Sequence, residues 1–173
     1  AEETLRWLAR ETRGIALIGM PGSGKSSVGR ALAGLMGRPF LDTDAMVEAR
    51  FGPIPEIFAR EGEARFRQME AGAVREAALS RGAIVATGGG AVLSPENRAL
   101  LRANALVVEL ERPLSELATA GRPLSGGPEA VERLYRLRAP LYRAARDAAV
   151  RLRDTPEGTA NRVIQTFFEE VRA

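Results

Sequence analysis

The stretch that decides the fold is "IALIGMPGSGKSSVGRAL", residues 15–32. A short apolar run ends at Gly19 and helical periodicity follows from Lys25, as in a buried parallel strand, a turn and a helix. Between them, Gly19 to Ser26 fits the pattern G-x-x-x-x-G-K-[ST] in the strand–helix context that the pattern requires. In such a loop the backbone N–H groups curl around a phosphate, helped by the positive end of the helix dipole. The stretch therefore predicts a nucleoside triphosphate site.

The loop also contains the only lysine of the chain, whereas the other 24 of its 25 basic residues are arginines. A compact ammonium can reach the β- and γ-phosphates, and a broader, planar guanidinium would fit this cradle less well. We expect Lys25 to be an exposed loop side chain that packs against little, and Ser26 to offer its hydroxyl to Mg²⁺. The predicted nucleotide-binding residues are Gly22, Ser23, Gly24, Lys25, Ser26 and Ser27.

Length and composition limit the remaining possibilities. With 173 residues, 45% of them hydrophobic and 27% charged, the chain suits one domain with a real core. It has no cysteine and no histidine, so it has no thiolate and any general base must be a carboxylate. The net charge is only +3 and the arginines are scattered, which does not favour a nucleic-acid partner. No apolar run resembles a membrane span or a signal peptide, so we expect a cytoplasmic protein with no membrane partner.

Strand and helix patterns alternate along the whole chain. Such alternation indicates βαβ units and an α/β fold, with a parallel sheet covered by helices on both faces. We expect a short lead-in helix within residues 1–13 and one domain over residues 14–173. A long helical region over residues 55–80 has a break at Gly62, and Ser94 should cap a further helix. The predicted strands are 14–19, 39–44, 83–90, 105–110 and 148–153.

Two acids, Asp42 and Asp44, follow the second predicted strand, at the sheet edge where ligands of such folds bind. One of them could simply cap the next helix. Beside a phosphate loop, one carboxylate could instead lie near Mg²⁺ and the other face an acceptor hydroxyl. We expect the two side chains to share one face of an extended segment, with Asp42 serving the metal and Asp44 the acceptor.

Three further features have both an ordinary and a functional interpretation. Arg67 and Glu70 are three residues apart on a helix, as in a common surface ion pair. The run "TGGG", residues 87–90, is either a tight turn or a place where the backbone touches a ligand. Arg138, near a helix end, could lie on a solvated face or bind an anion.

Taken together, these motifs resemble the shikimate kinase family. In order they are "GMPGSGKS", "DTD", "EGEARFRQME", "TGGG", "GRPL" and "RAPLY", and the resemblance covers almost the whole chain from about residue 14. It implies a three-layer P-loop fold like that of nucleoside monophosphate kinases, with a central five-stranded parallel sheet. The implied activity is MgATP-dependent phosphorylation of the 3-hydroxyl of shikimate, a step in aromatic amino-acid biosynthesis.

The resemblance also implies a role for each matching residue. Ser26 and Asp42 would hold Mg²⁺, and Asp44 would bind and orient or deprotonate the acceptor hydroxyl. Lys25 would act on the transferring phosphate.

Further roles concern the acceptor carboxylate and the lid. Arg67 and Arg138 would clamp the shikimate carboxylate, which suits the forked donors of arginine. The glycines Gly88, Gly89 and Gly90 would line the shikimate site, with an N–H from Gly89. Arg122 would reach the transferring phosphate and the nucleotide from a lid at about residues 119–128.

Two segments depart from the family pattern, and both lie on the nucleotide-base side. "SELATAGRPL" is short and lacks the arginine that the family often carries near adenine. "RDTPEGTAN" is also short and leaves Pro156 as the expected adenine neighbour. The compact "GRPLS" form resembles shikimate kinase domains fused to shikimate dehydrogenase in some bacteria, so we expect such a fusion in the full-length chain. We expect the kinase domain itself to be monomeric.

Other functions on the same fold remain open at this stage. A gluconate kinase would need an acidic, histidine-containing acceptor motif, and the chain has no histidine. A nucleoside monophosphate kinase would need a pocket for an acceptor base, for which no motif is evident. A non-catalytic ligand-sensing domain could be expected to lose the lysine or the acids. Because Lys25, Asp42, Asp44, Arg67 and Arg138 are all present, an enzyme is the favoured interpretation.

Overall fold

A five-stranded, all-parallel sheet forms the centre of the protein, in the strand order β2-β3-β1-β4-β5. The computed structural model describes residue 4, residues 12–117 and residues 127–171. The predicted strands are confirmed, although most are shorter than their sequence patterns. Their bounds are Gly14–Ile18 (β1), Phe40–Asp42 (β2), Ile84–Ala86 (β3), Ala105–Glu111 (β4) and Ala148–Arg151 (β5).

Helices connect the strands, and they begin and end at the expected local signals. Ser94 accepts a hydrogen bond from the backbone N–H of Asn97, so it caps a helix whose first residue is proline, as predicted. The long helix is interrupted at Gly62, also as predicted, where φ is 80°. The helices are Lys25–Met36 (α1), Thr43–Phe51 (α2), Ile54–Leu79 (α3), Pro95–Asn104 (α4), Leu114–Leu117 (α5), Gly127–Ala145 (α6) and Pro156–Glu170 (α7), with a 3₁₀ turn at Ala91–Leu93.

Both faces of the sheet are buried, because successive side chains of each strand point to opposite sides. On one face Ile15 and Leu17 of β1 pack with α1 and α7, where Phe167 is fully buried. On the other face Ala16 and Ile18 pack against α3, α4 and α6. Each large apolar side chain buried in this way contributes about 1.5–3 kcal/mol. The three-layer α/β prediction is therefore confirmed.

The sheet topology gathers the chemically important segments at one edge. Strands β3 and β2 lie on one side of β1, and β4 and β5 lie on its other side. The loop after β1 thus lies where the strand order reverses, which is the usual ligand site of such sheets. Asp42 at the end of β2 and the glycine run after β3 lie at the same edge.

Two predicted segments fall largely outside the described residues. These are the lead-in helix within residues 1–13 and residues 119–126 of the expected lid, whereas residues 127 and 128 belong to the first turn of α6. Within the described part of the chain, no helix is both long and apolar enough to cross a membrane.

Candidate active site

The loop between β1 and α1 folds as a tight cradle. Three of its glycines have positive φ, 144° at Gly19, 80° at Gly22 and 82° at Gly24, a region that other residues rarely adopt. The backbone N–H of Ser23 donates to the carbonyl of Met20 at 3.1 Å, which closes the turn. Gly24 then directly precedes α1, so the N-terminus of this helix faces the loop. This geometry suits an anion held by backbone N–H groups.

Lys25 lies folded into this loop and is not an exposed side chain. Its Nζ donates to the carbonyls of Gly19 at 2.9 Å and Met20 at 2.8 Å, and only 8% of the residue is exposed. The expectation that it packs against little is therefore wrong. An ammonium has three donors and is costly to bury without partners, so the loop carbonyls hold its charge inside the cradle.

Ser26 and Asp42 meet across the sheet edge. The Ser26 hydroxyl donates to Asp42 Oδ2 at 2.5 Å, and Asp42 Oδ1 accepts from the backbone N–H groups of Asp44 and Ala45. Asp42 therefore caps α2, which confirms the capping interpretation for this residue, and its other carboxylate oxygen reaches the phosphate loop. A hydroxyl and a carboxylate are hard oxygen ligands, and Mg²⁺ commonly takes one or two such groups together with phosphate oxygens. The residues present fit a magnesium ion.

Asp44 points to a different part of the site. The extended segment ends at Asp42, and Asp44 lies in the first turn of α2, so the expectation that both acids share one face of a strand is wrong. A Cβ added to Gly88 would lie 2.5 Å from Asp44 Oδ1 and 2.9 Å from Glu70 Oε1. Asp44 thus packs against the glycine run after β3, while Asp42 packs against the phosphate loop.

The glycine run packs directly against other parts of the site, because side chains occupy the space that a Cβ would need at each of Gly88, Gly89 and Gly90. The Gly88 N–H donates to the Thr43 hydroxyl at 3.0 Å. A Cβ at Gly89 would lie 2.8 Å from Pro21 of the phosphate loop, and a Cβ at Gly90 would overlap the guanidinium of Arg67. The run is therefore more than a tight turn.

Arg67 lies beside this run, because a Cβ at Gly90 would meet its guanidinium. Arg67 Nη1 pairs with Glu70 at 2.8 Å, and the Glu70 side chain is only 3% exposed. Burial raises the pKa of the Glu70 carboxyl, and Asp44 adds to the increase, whereas Arg67 and Arg138 lower that pKa. The four charged side chains are thus electrostatic neighbours, although they come from α2, α3 and α6.

A cavity of about 600 Å³ joins the phosphate loop to the acid pair. Predicted site residues line most of it, and Gly89 forms part of its wall. Sequence reasoning missed Arg30 and Glu48, which are on the walls one helical turn beyond Ser26 and Asp44. The lining residues are Pro21, Gly22, Gly24, Lys25, Ser26, Ser27, Arg30, Asp42, Asp44, Ala45, Glu48, Thr87 and Gly89.

Two residues, Pro156 and Arg122, were predicted to lie on the nucleotide side of the site. Pro156 is exposed at the start of α7, and the preceding loop reaches the cradle, since a Cβ at Gly24 would lie 3.4 Å from Leu152 Cδ2. Arg122 lies outside the described residues. Arg112, which sequence reasoning missed, donates from Nη1 to the carbonyl of Gly22 at 3.0 Å. No local pattern indicates this contact, because the two residues are 90 positions apart.

Comparisons with known proteins agree with this geometry. A family model described as shikimate kinase matches residues 21–171. A shikimate kinase of Moorella thermoacetica is 52% identical over 136 residues, covering 74% of this chain and 79% of that protein. A shikimate kinase of Halorhodospira halophila is 45% identical over 167 residues, covering 91% of this chain and 93% of that protein.

Solved structures give the same result. Shikimate kinase from Acinetobacter baumannii in complex with shikimate has a TM-score of 0.89 at 31% identity, covering 95% of this chain and 98% of that one. A gluconokinase from Sinorhizobium meliloti has a TM-score of 0.67 at 23% identity, covering 94% and 95%, and this likeness shows the fold alone. The match over residues 21–171, the identities of 45–52% and the shared P-loop kinase fold lead to one conclusion. The chain belongs to the shikimate kinase family.

Proposed function

We propose that this protein transfers the γ-phosphoryl group of ATP to the 3-hydroxyl of shikimate, giving shikimate 3-phosphate and ADP. One observation carries the proposal: the phosphate loop and the acid Asp44 open into the same cavity of about 600 Å³. A phosphoryl donor and a small acceptor can therefore meet there without a large rearrangement. Such proximity is the main requirement of phosphoryl transfer, which needs positioning and charge stabilisation more than covalent chemistry.

The phosphate loop holds the nucleotide in this proposal. Gly22, Ser23 and Gly24 form the loop that would surround the β-phosphate, and Ser26 and Ser27 at the start of α1 would add hydroxyl groups. Lys25 exchanges its loop carbonyls for phosphate oxygens and stabilises the charge on the transferring group.

Mg²⁺ belongs to the proposal because the contact between Ser26 and Asp42 supplies suitable ligands. When bound, the ion neutralises charge on the phosphates. Within the described residues, no cluster of three or more carboxylates could hold the metal alone. This agrees with an ion that is shared between the protein and the nucleotide.

The acceptor side depends on Asp44. Its carboxylate faces the glycine run and lines the cavity, where it can accept a hydrogen bond from the acceptor hydroxyl. The chain has no histidine, so Asp44 is also the base of the proposal, although a loose transition state needs little early proton removal.

The acceptor's own carboxylate needs cationic partners. Arg67 and Arg138 are the proposed clamp, since both act on Glu70 beside the glycine run and arginine binds carboxylates with two donors. The N–H of Gly89 is the proposed third donor. The pairing of Arg67 with the buried Glu70 fixes the direction of its guanidinium before any acceptor arrives.

Two assignments come from the sequence alone. We assign Arg122, on a lid at about residues 119–128, to the transferring phosphate, and Pro156 to the adenine. We also propose residues 1–13 as a lead-in to one kinase domain over residues 14–173. We further propose that the domain acts as a monomer, in the cytoplasm where ATP is available.

The deciding experiment is ADP release measured with a panel of acceptors. We expect turnover with shikimate and Mg²⁺, and none with gluconate or nucleoside monophosphates. A Lys25→Met variant supplies the background rate. Turnover with gluconate would support the alternative kinase, and shikimate binding without any turnover would support the ligand-sensing alternative.

A further inference from the structure

Tyr142 places its buried hydroxyl against the glycine run of residues 87–90. The residue is on α6, is 0% exposed, and donates from its hydroxyl to the carbonyl of Gly89 at 2.7 Å. The contact joins residues that are 53 positions apart. The chain has only one other tyrosine, Tyr135, on the same helix and half-buried.

The carbonyl of Gly89 differs from its neighbours in how it is held. The carbonyls of Gly88 and Gly90 accept from the backbone N–H groups of Ala91 and Leu93, at 3.1 and 3.0 Å, within the turn itself. Gly89 instead depends on a side chain from a distant helix. A peptide group is planar, so a bond to the Gly89 carbonyl also fixes the plane that leads into Gly90. Gly90 in turn is the surface on which the Arg67 guanidinium lies.

Arg138 lies one helical turn before Tyr142 on the same helix. The two residues are four positions apart on α6, so their side chains are neighbours on the helix surface. Burial raises the pKa of Tyr142 to about 12, whereas the nearby positive charge of Arg138 lowers that pKa. A phenol hydroxyl can donate one hydrogen bond and accept another. The Tyr142 hydroxyl therefore donates to Gly89 and can still accept one further hydrogen bond.

We propose that Tyr142 is a positioning residue that fixes Arg138 on α6 relative to the glycine run, so that Arg138 and Arg67 face one carboxylate together. This inference rests on the proposed function, because it assigns a support to the acceptor clamp of that same site. Tyr142 is fully buried and is not one of the residues that line the cavity. It acts by joining a helix that carries one arginine to the turn that supports the other.

Tyr142→Phe tests the inference, because it removes the hydroxyl and keeps the ring that fills the core. We expect the KM for shikimate to increase about tenfold, as for the loss of one hydrogen bond in a charged network. The KM for ATP and the value of kcat should change less than about twofold, because the phosphate loop is untouched. Tyr135→Phe is the matched control on the same helix and should behave as the wild type.

Two readouts separate positioning from a general structural role. With the methyl ester of shikimate, which has no anionic carboxylate, the wild type and Tyr142→Phe should have the same KM. The effects of Tyr142→Phe and Arg138→Ala on the KM for shikimate should be strongly non-additive, since both changes disable the same arginine.

Each remaining outcome has a definite meaning. If the wild type does not phosphorylate shikimate, the proposed function fails. If it does and Tyr142→Phe binds shikimate normally, only the inference fails. Equal losses for shikimate and its ester, additive effects, or a variant that does not fold would show that Tyr142 serves the core alone, which also overturns the inference.

Discussion

Gly90→Ala should damage acceptor binding by moving a single guanidinium. Gly90 has φ −95° and ψ −1°, a turn conformation with negative φ that is also open to alanine, so we expect the backbone to stay in place. The new Cβ would overlap the Arg67 guanidinium, with its Cζ only 2.8 Å away. Since these atoms are the end of a flexible side chain, Arg67 should swing away from Gly90 and from the acceptor site.

The size of the effect follows from the bonds that Arg67 makes. Hydrogen bonds from a guanidinium to a carboxylate are worth about 1.5–3 kcal/mol, so the KM for shikimate should increase roughly 10- to 150-fold. The swing also weakens the pair with the buried Glu70, at a cost of about 1–3 kcal/mol of folding stability. For a domain of this size, each kcal/mol lowers Tm by about 2–4 °C. The KM for ATP should change little.

Steady-state kinetics with varied shikimate and varied ATP, together with thermal unfolding, measure these quantities. Gly72→Ala is the control, because a Cβ there meets nothing within 4 Å. In the middle of α3 it should leave both KM values unchanged and add about 0.5–1 kcal/mol of stability. Arg67→Ala should match the KM of Gly90→Ala, and the double variant should be no worse. The reasoning is refuted if Gly90→Ala binds shikimate normally while Arg67→Ala does not.

Three other predictions follow from the site and the core. Lys25→Met should reduce kcat by about 10²-fold or more, because charge on the transferring group is no longer stabilised. It should also lower Tm, because Lys25 Nζ donates to the carbonyls of Gly19 and Met20. Wild-type ADP release by this variant would exclude the lysine from the mechanism. Asp42→Asn should raise the Mg²⁺ concentration needed for activity, whereas Asp44→Asn should reduce kcat by roughly 10²–10⁴-fold even at saturating Mg²⁺. A Mg²⁺ titration that rescues Asp44→Asn and not Asp42→Asn would reverse the two assignments. Burial raises the pKa of the Glu109 carboxyl on β4 above its usual 4.5, so the folded state binds this proton more tightly than the unfolded state. The resulting stabilisation is complete below pH 4.5 and is lost as pH rises through the pKa of the folded state. Urea unfolding of Glu109→Gln should therefore show that the wild type loses stability relative to the variant as pH increases from about 4 to 7, and a difference independent of pH would contradict this.

The sequence alone predicted the features that depend on neighbouring residues. The glycine loop after β1, the cap at Ser94 and the break at Gly62 all follow from what glycine and serine permit locally. The strands were recognisable because buried parallel strands are continuous apolar runs. Together these signals were sufficient for the fold class and for a nucleotide site after β1.

Reasoning from local sequence patterns failed where the environment of a residue depends on how the chain folds around it. It treated Lys25 as exposed, because the carbonyls that enclose its ammonium belong to the folded turn and not to any motif. It placed Asp44 on an extended segment, although Asp42 begins a helix by capping it. It suggested the pair of Arg67 and Glu70 but not its burial, which raises the Glu70 pKa.

What only the tertiary structure decided is which distant groups meet at the carboxyl edge of the sheet. Tyr142 reaches Gly89 across 53 positions, and Arg112 reaches Gly22 across 90. Neither pair has a spacing that a helix or strand period could indicate. Their contacts depend on the parallel register of β1 with β3 and β4, and on how α6 packs against the sheet. Register and packing are set by the burial of the whole core, so no single stretch of sequence specifies them.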